Sequence, residues 1–156
     1  MSALPAALVH LMQDHACACY PGECCGLLFA RDGVAVRWLA MDNLADKLHA
    51  LDPVEYPRTS RDAFMMNEAK IARAVREAEA TGETWHAIVH SHIDCGAYFS
   101  AEDKRVAAPD GVPVHPDLLQ LVIDCQPGGR IVEAKAFRWD GHDYALVSTH
   151  PEFHRE

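Results

Sequence analysis

The residues best suited to take part in chemistry are His90-Ser91-His92, followed after seven residues by Ser100 and then by Asp103. Side chains two apart on a strand point to the same face, so His90 and His92 can present two imidazoles to one point. Asp103 falls in the first turn of a predicted helix, and the loop before it is long enough to fold that turn back over the strand end. Two imidazoles and one carboxylate leave a fourth tetrahedral position open for water, which is typical of catalytic rather than structural zinc.

A second interpretation of the same residues is purely structural. Ser100-x-x-Asp103 is also an N-terminal capping box, with Ser at the N-cap and Asp at the third helical position. This role competes with metal binding, because a carboxylate cannot easily do both at full strength. A His-x-His pair is weak evidence by itself in a chain with ten histidines. The residues alone therefore leave both roles of Asp103 open.

The elements that must position these residues follow from the periodicity of apolar side chains. Helices are expected at 4–19, 64–78 and 100–108. The second would follow a Thr59–Asp62 capping box and carry Phe64 on its inward face. Strands are expected at 24–30, 34–40, 85–92, 118–125, 131–139 and 144–148. Residues 42–58 lack periodicity and are expected to be loop or edge structure. This order predicts one α/β (α+β layered) domain over residues 1–156, with helices flanking a mixed, curved sheet.

Composition excludes several classes of function. The chain has 14 Lys and Arg against 23 Asp and Glu, a formal net charge of -9, which disfavours nucleic acid and anionic membrane surfaces as partners. The first residues lack a basic n-region, and no apolar run approaches the roughly 20 residues of a membrane helix, so a cytoplasmic protein is expected.

The six cysteines are expected to be free thiols rather than three disulfides, because a cytoplasmic protein is kept in a reducing environment. The spacing of Cys17, Cys19, Cys24 and Cys25 differs from that of a zinc knuckle. These residues are instead expected to act as small buried hydrophobes.

The complete pattern His-Ser-His, seven residues, Ser, two residues, Asp resembles the signature of the JAMM (MPN-plus) zinc metallopeptidase family. Residues 20–28, Tyr-Pro-Gly-Glu-Cys-Cys-Gly-Leu-Leu, are similar to the surroundings of the family's upstream Glu in short stand-alone bacterial members. The similarity extends from the first helix to residues 134–139 and so covers most of the chain.

This resemblance implies the role of each site residue. His90, His92 and Asp103 would hold one Zn2+ per chain with a bound water. Glu23 would be the general base that takes the proton of that water and returns it to the leaving amine. Ser100 would help to stabilise the oxyanion. Spacing alone would not single out Glu23, whose default interpretation is a solvent-exposed turn carboxylate.

The resemblance also implies a substrate class. The family hydrolyses amide or isopeptide bonds after the C-terminal glycines of ubiquitin-like proteins, and short bacterial members are associated with ubiquitin-fold sulfur carriers. We therefore expect processing of a sulfur-carrier conjugate or extension after Gly-Gly. The alternatives are a ubiquitin-like deconjugase and a non-catalytic MPN-type protein-interaction module.

Two other enzyme classes fit less well. A zinc nucleoside deaminase requires His or Cys followed by x-Glu and a downstream Pro-Cys-x-x-Cys, and the chain has no Pro-Cys-x-x-Cys. A cysteine hydrolase using Cys24 or Cys25 has no supporting pattern.

The loop between the second His and Ser100 departs from the family pattern. Ile93 stands where many members have Pro, and the loop is apolar and contains a thiol. We expect Ala97, Tyr98 and Phe99 to narrow the entrance to the site. Cys95 is expected to be a buried loop thiol, with oxidant sensing or zinc binding as its alternatives.

Overall fold

A single six-stranded sheet organises the chain in the computed structural model, which describes residues 1–156. The strands are β1 (Cys25–Arg31), β2 (Val34–Met41), β3 (Thr84–Ile93), β4 (Leu119–Gln126), β5 (Arg130–Trp139) and β6 (Tyr144–His150). Their spatial order is β2-β1-β3-β4-β5-β6, and only β3 and β4 pair in parallel. The predicted mixed sheet and α/β layered fold class are thereby confirmed.

Four α-helices accompany the sheet. They are α1 (Ala6–Cys19), α2 (Ala45–Leu51), α3 (Glu68–Ala80) and α4 (Ala101–Ala107). Helix α1 packs on one face of the sheet, where Leu8, Met12 and Ala16 join the largest apolar cluster. Helix α3 packs on the other face of the sheet, against residues of β1, in a separate apolar cluster. The connection from β3 to β4 contains α4, as a parallel strand pair requires a crossover segment.

The close approach of two strands explains one glycine of the 20–28 segment. Gly26 in β1 lies against the Trp38 ring and the Leu39 carbonyl of β2, where a Cβ atom would clash with both. Glycine is the only residue that fits there without moving backbone. This contact keeps β1 and β2 close and fixes the strand that follows Glu23.

Two expectations about the helices are wrong. Residues 42–58 contain α2, which buries only Ala45 and therefore carries no apolar periodicity to reveal it. Helix α3 begins at Glu68 with Asn67 as its N-cap, and not after Thr59. The Thr59 N–H does donate to Asp62, at 3.3 Å, but this bond closes a local turn. Phe64 consequently lies in the loop before α3.

The cysteines are free thiols, as expected. Cys24, Cys25 and Cys125 are buried, in keeping with a hydrophobic role, whereas Cys17 and Cys19 are half-buried. Cys95 is exposed, so the expectation of a buried loop thiol is wrong. None of the helices is long and apolar enough to cross a membrane.

Candidate functional site

Strand β3 delivers both histidines to the same place. His90 and His92 lie on one face near the carboxyl end of the strand, with ring centroids 5.1 Å apart. They are 0% and 3% exposed, so neither is a surface histidine. Nε2 of each ring points to Asp103 at the start of α4, and the three candidate ligand atoms lie within 4.8 Å of one another. The four half-buried and buried cysteines of residues 17–25 form no such group.

Asp103 combines the two roles that the sequence left open. Its Oδ2 atom lies 3.3 Å from Nε2 of His90 and 3.0 Å from Nε2 of His92. The same oxygen accepts the Ser100 N–H at 2.9 Å, and the Asp103 N–H donates to Ser100 Oγ at 3.0 Å. The capping box is therefore complete, and it holds the carboxylate facing the two imidazoles. The cap orients the candidate ligand instead of competing with it.

The protonation of this group favours a bound cation. Nδ1 of His92 lies 3.0 Å from the Gly96 carbonyl, which can only accept, so this nitrogen carries the proton. The lone pair of Nε2 then faces the Asp103 carboxylate, and a cation between these two electron-rich atoms would relieve their repulsion. Two imidazoles and a carboxylate are the donors that zinc accepts. The residues present thus fit a zinc ion.

Charge in the group follows from the same contacts. Burial acts to raise the pKa of Asp103, but the charge interaction and hydrogen bond with His90 and the hydrogen bond from the Ser100 N–H hold it below its usual value. Burial also lowers the pKa of His90, which favours the neutral ring that a metal requires. An ionised carboxylate and neutral imidazoles are the states in which these groups bind metal.

Glu23 is buried beside this group. It precedes β1, whose Cys25 pairs with His90, and it is 4% exposed. Its Oε2 atom has no hydrogen-bond partner. Burial, followed by the negative charge of Asp103, raises the pKa of Glu23 to about 9. The interpretation of Glu23 as an exposed turn carboxylate is wrong, and a bound dication would counteract both effects and favour its ionised form.

Phe64 was not predicted to lie at the site. Its ring stacks on His90 with centroids 4.4 Å apart and an interplanar angle of 21°, and Phe99 approaches the same imidazole edge-on. Nδ1 of His90 is buried without a hydrogen-bond partner. Aromatic contacts therefore hold the His90 ring, whereas the hydrogen bond to the Gly96 carbonyl holds the His92 ring. The sequence offered no separate signal for this placement, because Phe64 fitted the apolar periodicity of the predicted helix.

The loop at the rim differs in part from expectation. Ala97 and Phe99 are buried, whereas Tyr98 is 48% exposed and contacts His92 edge-on. Only Tyr98 of the three can line an entrance. Cys95 is outside the ligand group, and partial desolvation of its exposed thiol raises the pKa, which disfavours the thiolate needed for metal binding or fast oxidation.

Cys25 begins β1 and Cys24 immediately precedes it. The protonation of these two thiols tests the alternative of a cysteine hydrolase. Burial raises the pKa of both thiols, that of Cys25 to about 12. A nucleophilic cysteine needs a lowered pKa, so neither thiol is suited to that chemistry.

Glu23 makes the stability of the metal-free protein depend on pH. Its pKa is about 9 in the folded chain against 4.5 for an ordinary glutamate carboxyl, so the folded state holds an extra proton between these pH values. The contribution of Glu23 to the free energy of unfolding is fully present below pH 4.5. It is lost as the pH rises towards 9, by up to about 1.4 kcal/mol per pH unit. Urea unfolding of chelator-treated protein from pH 5 to 9 measures this slope. Glu23→Gln should lack this contribution, and equal slopes for the two proteins would contradict the raised pKa.

Comparison with known proteins agrees with this geometry. Residues 5–140 match the family described as prokaryotic homologs of the JAB domain. Protein DSY2949 from Desulfitobacterium hafniense, known from a solution structure, is 26% identical, with a TM-score of 0.69 over 95% of this chain and 90% of that one. No curated protein matches the chain.

A second solved structure extends the likeness at the level of the fold. AF2198, a JAB1/MPN domain protein from Archaeoglobus fulgidus, is 14% identical, with a TM-score of 0.51 over 96% of this chain and 98% of that one. The fold is that of a JAB/MPN domain. The chain belongs to the prokaryotic JAB family, which confirms the resemblance to short bacterial members of this group.

Proposed function

We propose that this protein is a zinc-dependent peptidase or isopeptidase that hydrolyses the amide bond after the C-terminal Gly-Gly of a ubiquitin-fold protein. Its substrate in this proposal is a sulfur carrier that bears a conjugate or a C-terminal extension. The observation that carries the proposal is the convergence of His90, His92 and Asp103 beside a buried, unpartnered Glu23 carboxyl. A scaffold domain has no need of such a costly arrangement, because buried polar atoms without partners destabilise a fold.

Each residue has a role in this chemistry. Zinc held by His90, His92 and Asp103 would lower the pKa of a water and polarise the substrate carbonyl. Glu23 accepts the proton of the attacking water and transfers it to the leaving amine. Ser100 Oγ accepts the Asp103 N–H, which leaves its own hydrogen free to donate to the oxyanion. The capping box thus orients Ser100 as well as Asp103.

The burial of the site supports glycine at the scissile bond. His92, Asp103 and Glu23 are 3%, 9% and 4% exposed, so a substrate carbonyl must come close to side chains that lie below the surface. Tyr98 stands at the rim and limits the space for substrate side chains. Glycine has no Cβ atom and permits the closest approach of backbone. An extended Gly-Gly tail fits this requirement better than a folded loop does.

A panel of three substrates tests the proposal. These are sulfur carriers with a C-terminal extension, linear ubiquitin fusions, and denatured casein, each incubated with the zinc-loaded enzyme and with Glu23→Gln. We expect cleavage after Gly-Gly of the sulfur carrier, little activity on casein, and none with Glu23→Gln. Mass spectrometry of the products identifies the bond that is cut.

Each other outcome has a distinct meaning. Comparable zinc-dependent rates on all three substrates would indicate a general protease. Activity confined to the ubiquitin fusions would indicate a ubiquitin-like deconjugase. A zinc-loaded protein that cleaves none of the panel would refute the proposed substrate class and favour a non-catalytic interaction module.

A further inference from the structure

The side chain of Asn43 connects three segments next to the site. It lies between β2 and α2 and is half-buried. Nδ2 donates to the carbonyls of Glu23 and Ala63, both at 3.0 Å. Oδ1 accepts the N–H groups of Ala45 at 3.0 Å and Met65 at 3.1 Å. These four bonds use the full capacity of one amide, two donors and two acceptor positions.

One of these bonds holds the backbone of Glu23. The same residue is held from its other side, because the Glu23 N–H donates to the Ser60 carbonyl at 2.6 Å. Gly22 lies so close to Ser60 that a Cβ atom on it would be 2.8 Å from Ser60 Oγ. The segment that carries Glu23 therefore rests on residues 60–66, and Asn43 joins the two.

Two of the other hydrogen bonds of Asn43 hold the backbone on both sides of Phe64. Asn43 binds the carbonyl of Ala63 and the N–H of Met65, the two neighbours of Phe64 in the chain. Phe64 in turn stacks on His90, whose Nδ1 has no hydrogen-bond partner. The orientation of the His90 ring thus depends on where the loop places Phe64.

We infer that Asn43 is a positioning residue that sets Glu23 and His90 relative to each other. It touches neither a reacting atom nor a candidate metal ligand, and it acts through the Glu23 backbone and through Phe64. The amide is needed as an amide, since only a side chain with two donors and two acceptor positions can make all four bonds. The inference rests on the proposed function only in its activity readout.

Asn43→Asp tests the inference with a minimal change in shape. The carboxylate can still accept from Ala45 and Met65, but it places an oxygen against the carbonyls of Glu23 and Ala63. We expect unchanged far-UV circular dichroism, a 10–100-fold weaker zinc affinity by chelator competition, as is typical of residues that support metal ligands, and an altered cobalt(II) absorption spectrum. Turnover of the cleaved substrate should fall together with zinc affinity.

Asn67→Asp is the matched control. Asn67 caps α3 by accepting the Lys70 N–H at 3.0 Å, and aspartate caps equally well, so zinc affinity and the cobalt spectrum should not change. Phe64→Leu should reproduce the cobalt shift of Asn43→Asp, whereas Met66→Ala in the same loop should not.

Several results would overturn the inference. One is an Asn43→Asp variant whose zinc affinity and cobalt spectrum equal those of the wild type. Another is loss of secondary structure in Asn43→Asp, which would make the amide a determinant of the whole fold. Both metal readouts need no substrate. A wild-type protein that binds cobalt but cleaves nothing in the panel would therefore refute the proposed function while still testing Asn43.

Discussion

Glu23→Gln is expected to retain about one zinc ion per chain and to lose hydrolysis by about 10²–10⁴-fold, the usual contribution of a general acid–base residue. Glutamine has nearly the same shape but cannot accept the proton of the attacking water. Zinc should stay, because Glu23 lies outside the group formed by His90, His92 and Asp103. Steady-state rates on the cleaved substrate and elemental analysis of the same samples measure the two effects separately.

Ser100→Ala is the comparison variant. It should lower turnover by about 10²–10³-fold, as the loss of one oxyanion donor does, and it should cost about 1 kcal/mol of stability through the missing N-cap. Near-normal turnover of Glu23→Gln would instead mean that another carboxylate is the base. The nearby candidates are already engaged, since Glu102 binds Arg105 at 2.6 Å and Asp94 accepts from the Tyr20 hydroxyl at 3.1 Å.

His90→Ala and Asp103→Ala are each expected to lose most of the bound zinc. Either substitution leaves only two of the three donors, and a catalytic zinc site relies on three protein ligands. Elemental analysis after dialysis against a weak chelator gives the zinc content. His86→Ala is the matched control, because His86 lies on the same strand but outside the ligand group.

The Asp103 variants also separate metal binding from capping. Asp103→Ala removes the capping box of α4, whereas Asp103→Asn keeps an oxygen that can accept the Ser100 N–H but loses the charge. Zinc loss in both variants would assign the effect to the carboxylate ligand. Full zinc content in His90→Ala and Asp103→Ala would refute the ligand assignment and leave Asp103 with the capping role alone.

Much of the fold could be predicted from local patterns. Each strand carries apolar residues over most of its length, and the predicted strands differ from the observed ones by no more than two residues at either end. The apolar periodicity of α1 and the Asp32-Gly33 dipeptide between β1 and β2 are equally local signals. Helix α2 was missed because it buries only Ala45 and therefore carries no apolar periodicity.

The candidate ligands belong to the same local class. His90 and His92 share a face because side chains on a strand repeat every two residues, and Ser100 and Asp103 meet because a capping box spans three. These relations depend on spacing within one segment. The sequence by itself therefore determined which side chains could form the ligand group.

Only the tertiary structure brought the other groups to it. Glu23 reaches the site because β1 pairs antiparallel with β3, placing the Cys24 N–H on Ser91 Oγ at 2.8 Å across 67 residues of chain. Phe64 lies in the loop before α3 and Asn43 in the connection before α2, and only the packing of these segments brings them to the site. Strand pairing and loop closure depend on the packing of distant segments, and burial, which raises the pKa of Glu23, arises only once that packing excludes water.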